Sequence, residues 1–258
     1  MSILLSGDFH ADEKKELQFI EKGALIRKYG QEIYDGIKYQ IMLGDCGFEW
    51  VDNERGDKRI YKALAERPFP VLCVMGNHEP IYGKINKNET DIGIGEAVYK
   101  INTIPFVAYL KRGKVYNIDG IKFLVLGGAL SIDRKFRKAG RTWWKEEYWD
   151  ESEVQEMNKL LKSENSFDCV VSHTGPARLN NFLFLNTFNE DKFADEVAIL
   201  NDDICSKIKF QEWFSGHWHV DKYHRDEIKN SGFHYLYQKT KILRKENNKI
   251  VLIEEFCH

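Results

Sequence analysis

The five cysteines of this 258-residue chain are scattered, and none of them forms a Cys-x-x-Cys pair. This distribution is typical of buried, reduced thiols in a cytoplasmic protein. Long apolar runs are also missing: the apolar start from Ile3 to Leu5 is much shorter than a signal-peptide core or a membrane span. We therefore expect a cytoplasmic protein without a leader and without a membrane partner.

Proline and low-complexity sequence are scarce as well. The chain has 5 prolines, no internal repeat and no serine–glycine tract that would mark a linker. Its hydrophobic fraction of 43% is enough for a substantial core, which predicts one domain spanning residues 1–258. A net charge of −2 provides no overall field that would attract nucleic acid or acidic lipid, so any basic binding surface must be local.

Short apolar runs alternate with amphipathic segments along most of the chain. The runs "SILLSGD", "YQIMLGD" and "FPVLCVMGN" have the pattern of buried strands. Helices are predicted for "EKKELQFIEKGALIRKYG", ending at Gly30, and for residues 58–66 and 150–162. The end of the chain, from "FHYLYQ" to "KIVLIEEF", has the pattern of antiparallel strands. This order of elements predicts an α/β domain with layered sheets.

Polar side chains able to bind metal follow five of the predicted strands, mostly beside a glycine. These strand ends are Gly7-Asp8-Phe9-His10, Gly44-Asp45, Gly76-Asn77-His78, Ser172-His173 and Gly216-His217-Trp218-His219. In open α/β sheets, ligands bind beyond the carboxyl ends of strands, and glycine there allows a tight turn and a close approach. One such residue alone is usually a turn residue or a helix cap. Five such endings together favour a shared site.

The residue types at these strand ends suit a pair of divalent metal ions. Imidazole and carboxylate ligands without a thiolate favour ions such as zinc, manganese, iron or cobalt. Seven ligands are too many for one tetrahedral ion, whereas two ions sharing a carboxylate form a clamp for displacement at phosphorus. We expect Asp45 to be the shared carboxylate. In an extended segment, His217 and His219 would face the same side, one toward each ion, while Trp218 would point away.

The blocks "GDFH", "GDCG", "GNHE", "SHTGP" and "GHWH" follow one another over residues 7–219. In this order they resemble the five blocks of the calcineurin-like metallophosphoesterases. The resemblance implies a four-layer αββα sandwich, in which two mixed β-sheets are flanked by helices. It also implies a phosphoric ester hydrolase that acts through a hydroxide bridging two metal ions.

The resemblance assigns a role to each residue of the blocks. The first metal ion would be bound by Asp8, His10, Asp45 and His219, and the second by Asp45, Asn77, His173 and His217. His78 would be the catalytic residue that protonates the leaving oxygen or stabilises the charge there; the alternative for His78 is an orienting role. For the two ions we expect manganese, with iron, zinc, cobalt and nickel as alternatives.

Departures from the family pattern bear on the substrate. "GDCGFEW" replaces the signature of the phosphoprotein phosphatase branch, and Met75 stands where that branch has a phosphate-clamping arginine. A phosphodiesterase, nucleotidase or nuclease is favoured by comparison, acting on a phosphate ester such as a nucleotide or nucleic acid. The alternatives are a phosphoprotein phosphatase and a metal-binding scaffold that serves as a protein-interaction module. A scaffold would be expected to have lost ligands, and every ligand position is filled here.

A basic and aromatic segment, "RKFRKAGRTWWKEEYWDESE", follows the strand "KFLVLGGA". Its cations could bind phosphate and its rings could stack on bases. The residues that this reading assigns to substrate binding are Arg134, Arg137, Arg141, Trp143 and Trp144. The alternative is a solvated basic turn followed by aromatic packing over the sheet edge.

Overall fold

A computed structural model of the chain describes residues 2–10, 13–48, 58–79, 87–101, 104–184 and 195–253. Its strands are β1 (Ser2–Ser6), β2 (Ile37–Met42), β3 (Val71–Val74), β4 (Lys87–Thr90), β5 (Val98–Ile101), β6 (Val107–Leu110), β7 (Lys114–Ile118), β8 (Ile121–Leu126), β9 (Cys169–Ser172), β10 (Glu212–Ser215), β11 (Lys222–Asp226), β12 (Ser231–Tyr235), β13 (Thr240–Glu246) and β14 (Lys249–Ile253). Its helices are α1 (Glu13–Ile20), α2 (Lys22–Tyr29), α3 (Gln31–Gly36), α4 (Lys58–Ala65), α5 (Glu151–Ser163), α6 (Ala177–Phe184) and α7 (Glu196–Lys207). Among the helices of these ranges, none has both the length and the apolar character needed to cross a bilayer.

The strands form two mixed sheets. The first has the order β14-β13-β1-β2-β3-β6-β5-β4, and the second the order β11-β12-β10-β9-β8-β7. Parallel pairing joins the central strands β1, β2, β3 and β6 of the first sheet and β8, β9, β10 and β12 of the second. Antiparallel strands flank both centres. Parallel strands end at the same edge of a sheet, so the polar residues that follow them come together there.

The two sheets pack face to face, with helices on their outer faces. In β1, Ile3 and Leu5 pack against the other sheet, while Leu4 faces α2 and the segment after it, as the alternation of side chains along a strand requires. Helices α1 and α4 cover the first sheet, and α5, α6 and α7 cover the second. This arrangement is the expected four-layer αββα sandwich. Burial on both faces explains why the central strands are apolar at almost every position.

One of the predicted helices is confirmed, another is divided in two, and the terminal strands are confirmed in part. The helix predicted for residues 150–162 is α5, where Asp150 accepts from the Glu153 amide at 2.8 Å and the Glu153 side chain accepts from the Asp150 amide. The helix predicted to end at Gly30 is instead two helices, α1 and α2, separated at Glu21. The terminal strands are antiparallel in part: β13 pairs antiparallel with β14, whereas β12 lies in the other sheet and pairs in parallel with β10. The apolar pattern of a strand predicts that it is buried, but it does not specify which other strand pairs with it.

Candidate metal centre

The loops that follow five parallel strands place the predicted ligands around one point. Each side chain comes from the first residues beyond its strand: Asp8 and His10 after β1, Asp45 after β2, Asn77 after β3, His173 after β9, and His217 and His219 after β10. Asp8, Asp45, Asn77 and His173 are 0–2% exposed. Buried carboxylates and imidazoles at such density need partners of opposite charge or metal ions.

Asp8, His10 and His219 form the first half of the cluster. The Nε2 atoms of His10 and His219 each lie 3.2 Å from Asp8 Oδ2. The two Nε2 atoms lie 2.7 Å from each other. Two imidazole nitrogens directed at the same space as a carboxylate oxygen suit a shared cation.

Asp45, Asn77 and His173 form the second half. His173 Nε2 lies 3.0 Å from Asn77 Oδ1 and 3.4 Å from Asp45 Oδ2. His173 Nδ1 donates to the Leu43 carbonyl at 2.7 Å, which directs Nε2 toward the cluster in the manner of metal-binding histidines. The His217 ring packs against the His173 ring with centroids 4.9 Å apart. Each histidine of the GHWH block therefore lies in a different half of the cluster.

Asp45 Oδ2 lies between the two halves. The Nε2 atoms of His10, His173 and His78 lie 3.5, 3.4 and 3.8 Å from it, yet among the described residues none makes a hydrogen bond of normal geometry to this buried oxygen. A buried carboxylate oxygen without a hydrogen bond is costly. The donor set of imidazoles, carboxylates and one amide therefore fits two divalent ions that share Asp45.

Four of the predicted ligands have left-handed backbone conformations. The φ angles of His10, Asp45, His217 and His219 are 51°, 48°, 66° and 52°, and such angles in residues other than glycine are concentrated at functional sites. The prediction that His217 and His219 lie in an extended segment is therefore wrong, because both have left-handed backbone. The left-handed turns direct the two rings to different halves, while Trp218 packs against the outer core as expected.

Two glycines allow the loops to approach so closely. A Cβ atom on Gly44 would lie 2.2 Å from His173 Nδ1, and one on Gly76 would lie 2.2 Å from Asp45 Oδ1. Gly44 also has a φ of 92°, which residues with a side chain rarely adopt. Any residue with a side chain would therefore clash with a neighbouring residue at either position.

Opposing charges perturb the titration of the cluster. Burial alone would raise the pKa of Asp8, but hydrogen bonds from His10 and His219 outweigh it and hold that pKa below its usual range. Burial likewise opposes ionisation of Asp45, but the charge of His173 lowers its pKa well below the usual range. Burial would lower the pKa of His173, but Asp45 raises it to about 9. Burial and the charge of His173 lower the pKa of His217 to about 3.

His78 lies beside the cluster, between Asp45 and the segment after β8. Its amide donates to Asp45 Oδ1 at 2.9 Å, and its ring is 5.0 Å from that of His10. Burial lowers its pKa to about 4, and the charge of Arg137 contributes to this despite the opposing charge of Asp45. His78, His10 and Asp45 are also close enough together to hold an ion, so position alone is compatible with a catalytic role and with a ligand role.

Glu79 connects two of the loops that carry candidate ligands, a role that was not predicted from the sequence. Its carboxylate accepts from the Cys46 amide at 2.7 Å and the Gly76 amide at 2.6 Å, which ties the loop of Asp45 to the loop of Asn77. Burial and the charge of Asp45 raise the pKa of Glu79 to about 8. Glu79 belongs to the "GNHE" block, so its place in the motif was the only available signal.

A second network missed from the sequence orients Asn77. Asn77 Nδ2 donates to Ser131 Oγ at 3.0 Å, and the Ser131 hydroxyl and amide both donate to the fully buried Glu147 carboxylate, at 2.5 and 3.2 Å. Ser131 follows a strand end, like the five blocks, but Glu147 carries no sequence signal. The network leaves Asn77 Oδ1 facing the metal centre.

The five residues predicted to contact substrate all lie in the segment between β8 and α5, residues 127–150. The structure places them in different surroundings. Arg137 reaches the centre and contacts His78 Nε2. Arg134 lies over the Trp143 ring, 4.1 Å from its centroid, and Arg141 is exposed. Trp144 is 6% exposed and does not offer a stacking surface. Of the predicted set, Arg137 alone comes into contact with a residue of the centre described above.

A family model described as calcineurin-like phosphoesterase matches residues 1–221. The chain belongs to this family. Phosphoesterases of this family use two divalent metal ions, and the cluster after the five strands has residues that could hold such a pair. Among curated protein sequences, none matches this chain.

Solved structures similar to this chain have low sequence identity. GAP50, the anchor in the inner membrane complex of Plasmodium, has a TM-score of 0.52 and 11% identity over 98% of this chain and 83% of its own. The phosphopantetheinyl hydrolase of Mycobacterium tuberculosis has a TM-score of 0.49 and 13% identity over 98% and 95%. A dimetal phosphatase from Danio rerio has a TM-score of 0.49 and 11% identity over 99% and 96%. The first of these likenesses supports the fold, and none of them specifies a substrate.

Proposed function

We propose that this chain is a dinuclear metal-dependent hydrolase of phosphate esters. One observation carries the proposal: imidazoles from both sheets converge on the buried Asp45 Oδ2, which has no hydrogen bond of normal geometry from the described residues. Asp8, His10, Asp45 and His219 would hold one ion, and Asp45, Asn77, His173 and His217 the other. Manganese is the first candidate because mixed imidazole and carboxylate sets suit ions softer than magnesium.

Two bound cations would supply a water of lowered pKa as the nucleophile and positive charge opposite the phosphoryl oxygens. The protein residues hold the ligands in place. The His173 hydrogen bond to the Leu43 carbonyl fixes its ring, and Glu79 fixes the loops that carry Asp45 and Asn77. Preorganised ligands need not rearrange during the reaction.

His78 is our candidate for the general acid that protonates the leaving group. Its ring lies beside the centre and is 18% exposed, and its amide donates to Asp45 Oδ1. A general acid there would protonate the departing oxygen of an ester. Its Nε2 contacts Arg137, so a substrate that draws Arg137 away would leave this nitrogen free to take up the proton that it then gives to the departing oxygen.

The test is a screen of protein loaded with Mn²⁺, Zn²⁺ or Mg²⁺ against phosphate monoesters, diesters and short nucleic acids. We expect hydrolysis that EDTA abolishes and that Mn²⁺ restores better than Mg²⁺. Full activity after prolonged dialysis against EDTA would refute the metal-dependent reaction. Two tightly bound ions without hydrolysis of any ester would favour the alternative of a metal-binding scaffold. A nucleotide or nucleic acid substrate and a cytoplasmic location stay predictions.

A further inference from the structure

Arg137 presents a buried cation to the centre. Its side chain is 6% exposed, and Asp133 Oδ1 lies 2.7 Å from Nη2. The same nitrogen contacts His78 Nε2. Its other terminal nitrogen, Nη1, is buried and makes no hydrogen bond to any described residue. Since a guanidinium is always charged and can only donate, His78 accepts in this contact and Nη1 has a donor to offer to an anion.

The segment that carries Arg137 is anchored at its ends. Arg112 pairs with both carboxylate oxygens of Glu153 at 2.8 and 2.5 Å, and donates to the carbonyls of Glu146 and Tyr148 at 2.9 and 2.7 Å. Trp149 Nε1 closes the segment by donating to the Gly127 carbonyl at 2.8 Å. These contacts anchor both ends of residues 127–150. A cation on an anchored segment needs less ordering when a ligand binds.

Met75 occupies the sequence position where an arginine could clamp a phosphate, and its side chain is buried in the core under the first sheet. Arg137 arrives at the centre from a different loop, on the side of His78. The fold thus brings a cation from a distant segment into contact with the "GNHE" block.

The number of terminal oxygens distinguishes two classes of ester. Near neutral pH a phosphate monoester has three terminal oxygens and about two negative charges, because its second pKa is about 6. A diester has two terminal oxygens and one charge. A pair of metal ions can take two oxygens of either ester, and a guanidinium that can take a third distinguishes the monoester.

We propose that Arg137 binds a terminal phosphoryl oxygen and makes this centre selective for phosphate monoesters over diesters. This inference rests on the phosphoesterase function proposed above. Arg137 would exchange its contact with His78 for the phosphoryl oxygen, so that one movement would bind the substrate and uncover the His78 nitrogen.

The test compares p-nitrophenyl phosphate with bis-p-nitrophenyl phosphate, whose leaving groups are identical. Wild-type protein, Arg137→Ala and Arg137→Lys are assayed with Mn²⁺, and metal content and the thermal unfolding midpoint are measured on the same samples. Lys145→Ala is the control, since it removes one exposed positive charge from the same segment. Calorimetric titration with inorganic phosphate measures binding without turnover.

We expect the wild type to prefer the monoester. Arg137→Ala should lower kcat/KM for the monoester about 10- to 100-fold, the range for a charge-assisted hydrogen bond, and weaken phosphate binding similarly. The diester should be affected much less, Arg137→Lys should recover part of the loss, and Lys145→Ala should resemble the wild type.

Equal losses on both esters, or unchanged phosphate affinity in Arg137→Ala with both ions bound, would overturn the role of Arg137. Loss of metal from Arg137→Ala would also overturn it, because the residue would then support the ligands. If the metal-loaded wild type hydrolyses neither ester, the proposed function fails, and the phosphate titration still decides whether Arg137 binds the anion.

Discussion

Asn77 Nδ2 donates to Ser131 Oγ at 3.0 Å, across a sequence separation of 54 residues. The Ser131 hydroxyl must accept there because its own hydrogen is directed to the Glu147 carboxylate. An ionised carboxylate can only accept, so the order of donors along this chain is fixed. The consequence is that the amide of Asn77 presents its oxygen, not its nitrogen, to the metal centre.

Ser131→Ala should weaken binding of one metal ion while leaving the other nearly unchanged. Loss of partners behind a ligand typically lowers metal affinity about 10- to 100-fold. Ser131→Thr, which keeps the hydroxyl, should recover most of the affinity, and Glu147→Gln should behave like Ser131→Ala because its amide can donate to Ser131. Calorimetric titration with Mn²⁺ would measure both sites.

The control for this prediction is Ser231→Ala. Ser231 is also buried, and it donates to the Phe210 carbonyl at 2.6 Å far along the chain from the ligands. A general loss of stability would lower metal affinity in both alanine variants to the same extent, and that result would remove Ser131 from a specific positioning role.

Asp45→Asn should lower the occupancy of both metal sites and reduce activity by orders of magnitude. The carboxylate lies between the two halves of the centre, and its charge would offset both cations, whereas an amide of the same size would not. Metal analysis and kcat on the same sample would check this. Two ions per chain together with near-normal turnover would exclude Asp45 as the shared ligand.

His78→Ala should impair esters with poor leaving groups far more than p-nitrophenyl esters. A general acid contributes about 10²–10⁴-fold when the departing oxygen needs a proton, and an acidic phenol needs little help. Comparing kcat/KM for an alkyl or nucleoside monoester with p-nitrophenyl phosphate would measure the difference. Equal losses with both ions retained would instead indicate charge stabilisation, and loss of an ion would show that His78 acts as a ligand or supports one.

Metal binding should release a proton from His173 near neutral pH. Its pKa of about 9 means that the metal-free protein holds this proton at pH 7, and a histidine must lose it to bind a metal through Nε2. Apparent affinity for Mn²⁺ should therefore rise with pH toward 9. Titrations in buffers of different ionisation enthalpy would count the protons released, and the absence of release at pH 7 would contradict the prediction.

The clustering of the candidate ligands could be predicted from the sequence because each of them follows a buried strand. Parallel strands end at one edge of each sheet, so the residues of the five blocks meet once the strands have paired and the two sheets have packed with these edges together. The glycines of these blocks have the same local origin, since Gly44 and Gly76 are required by close contacts with His173 and Asp45.

The tertiary structure decided which residues support and surround these candidate ligands. Ser131, Glu147 and Arg137 reach Asn77 and His78 from a separate segment, and no spacing in the sequence indicates where that segment folds. Among the basic residues of the segment, composition could not distinguish Arg137 from Arg134, because the difference is burial against His78 rather than residue type. The sequence determines the chemistry available at the ends of strands, whereas long-range packing determines which distant side chains contact it.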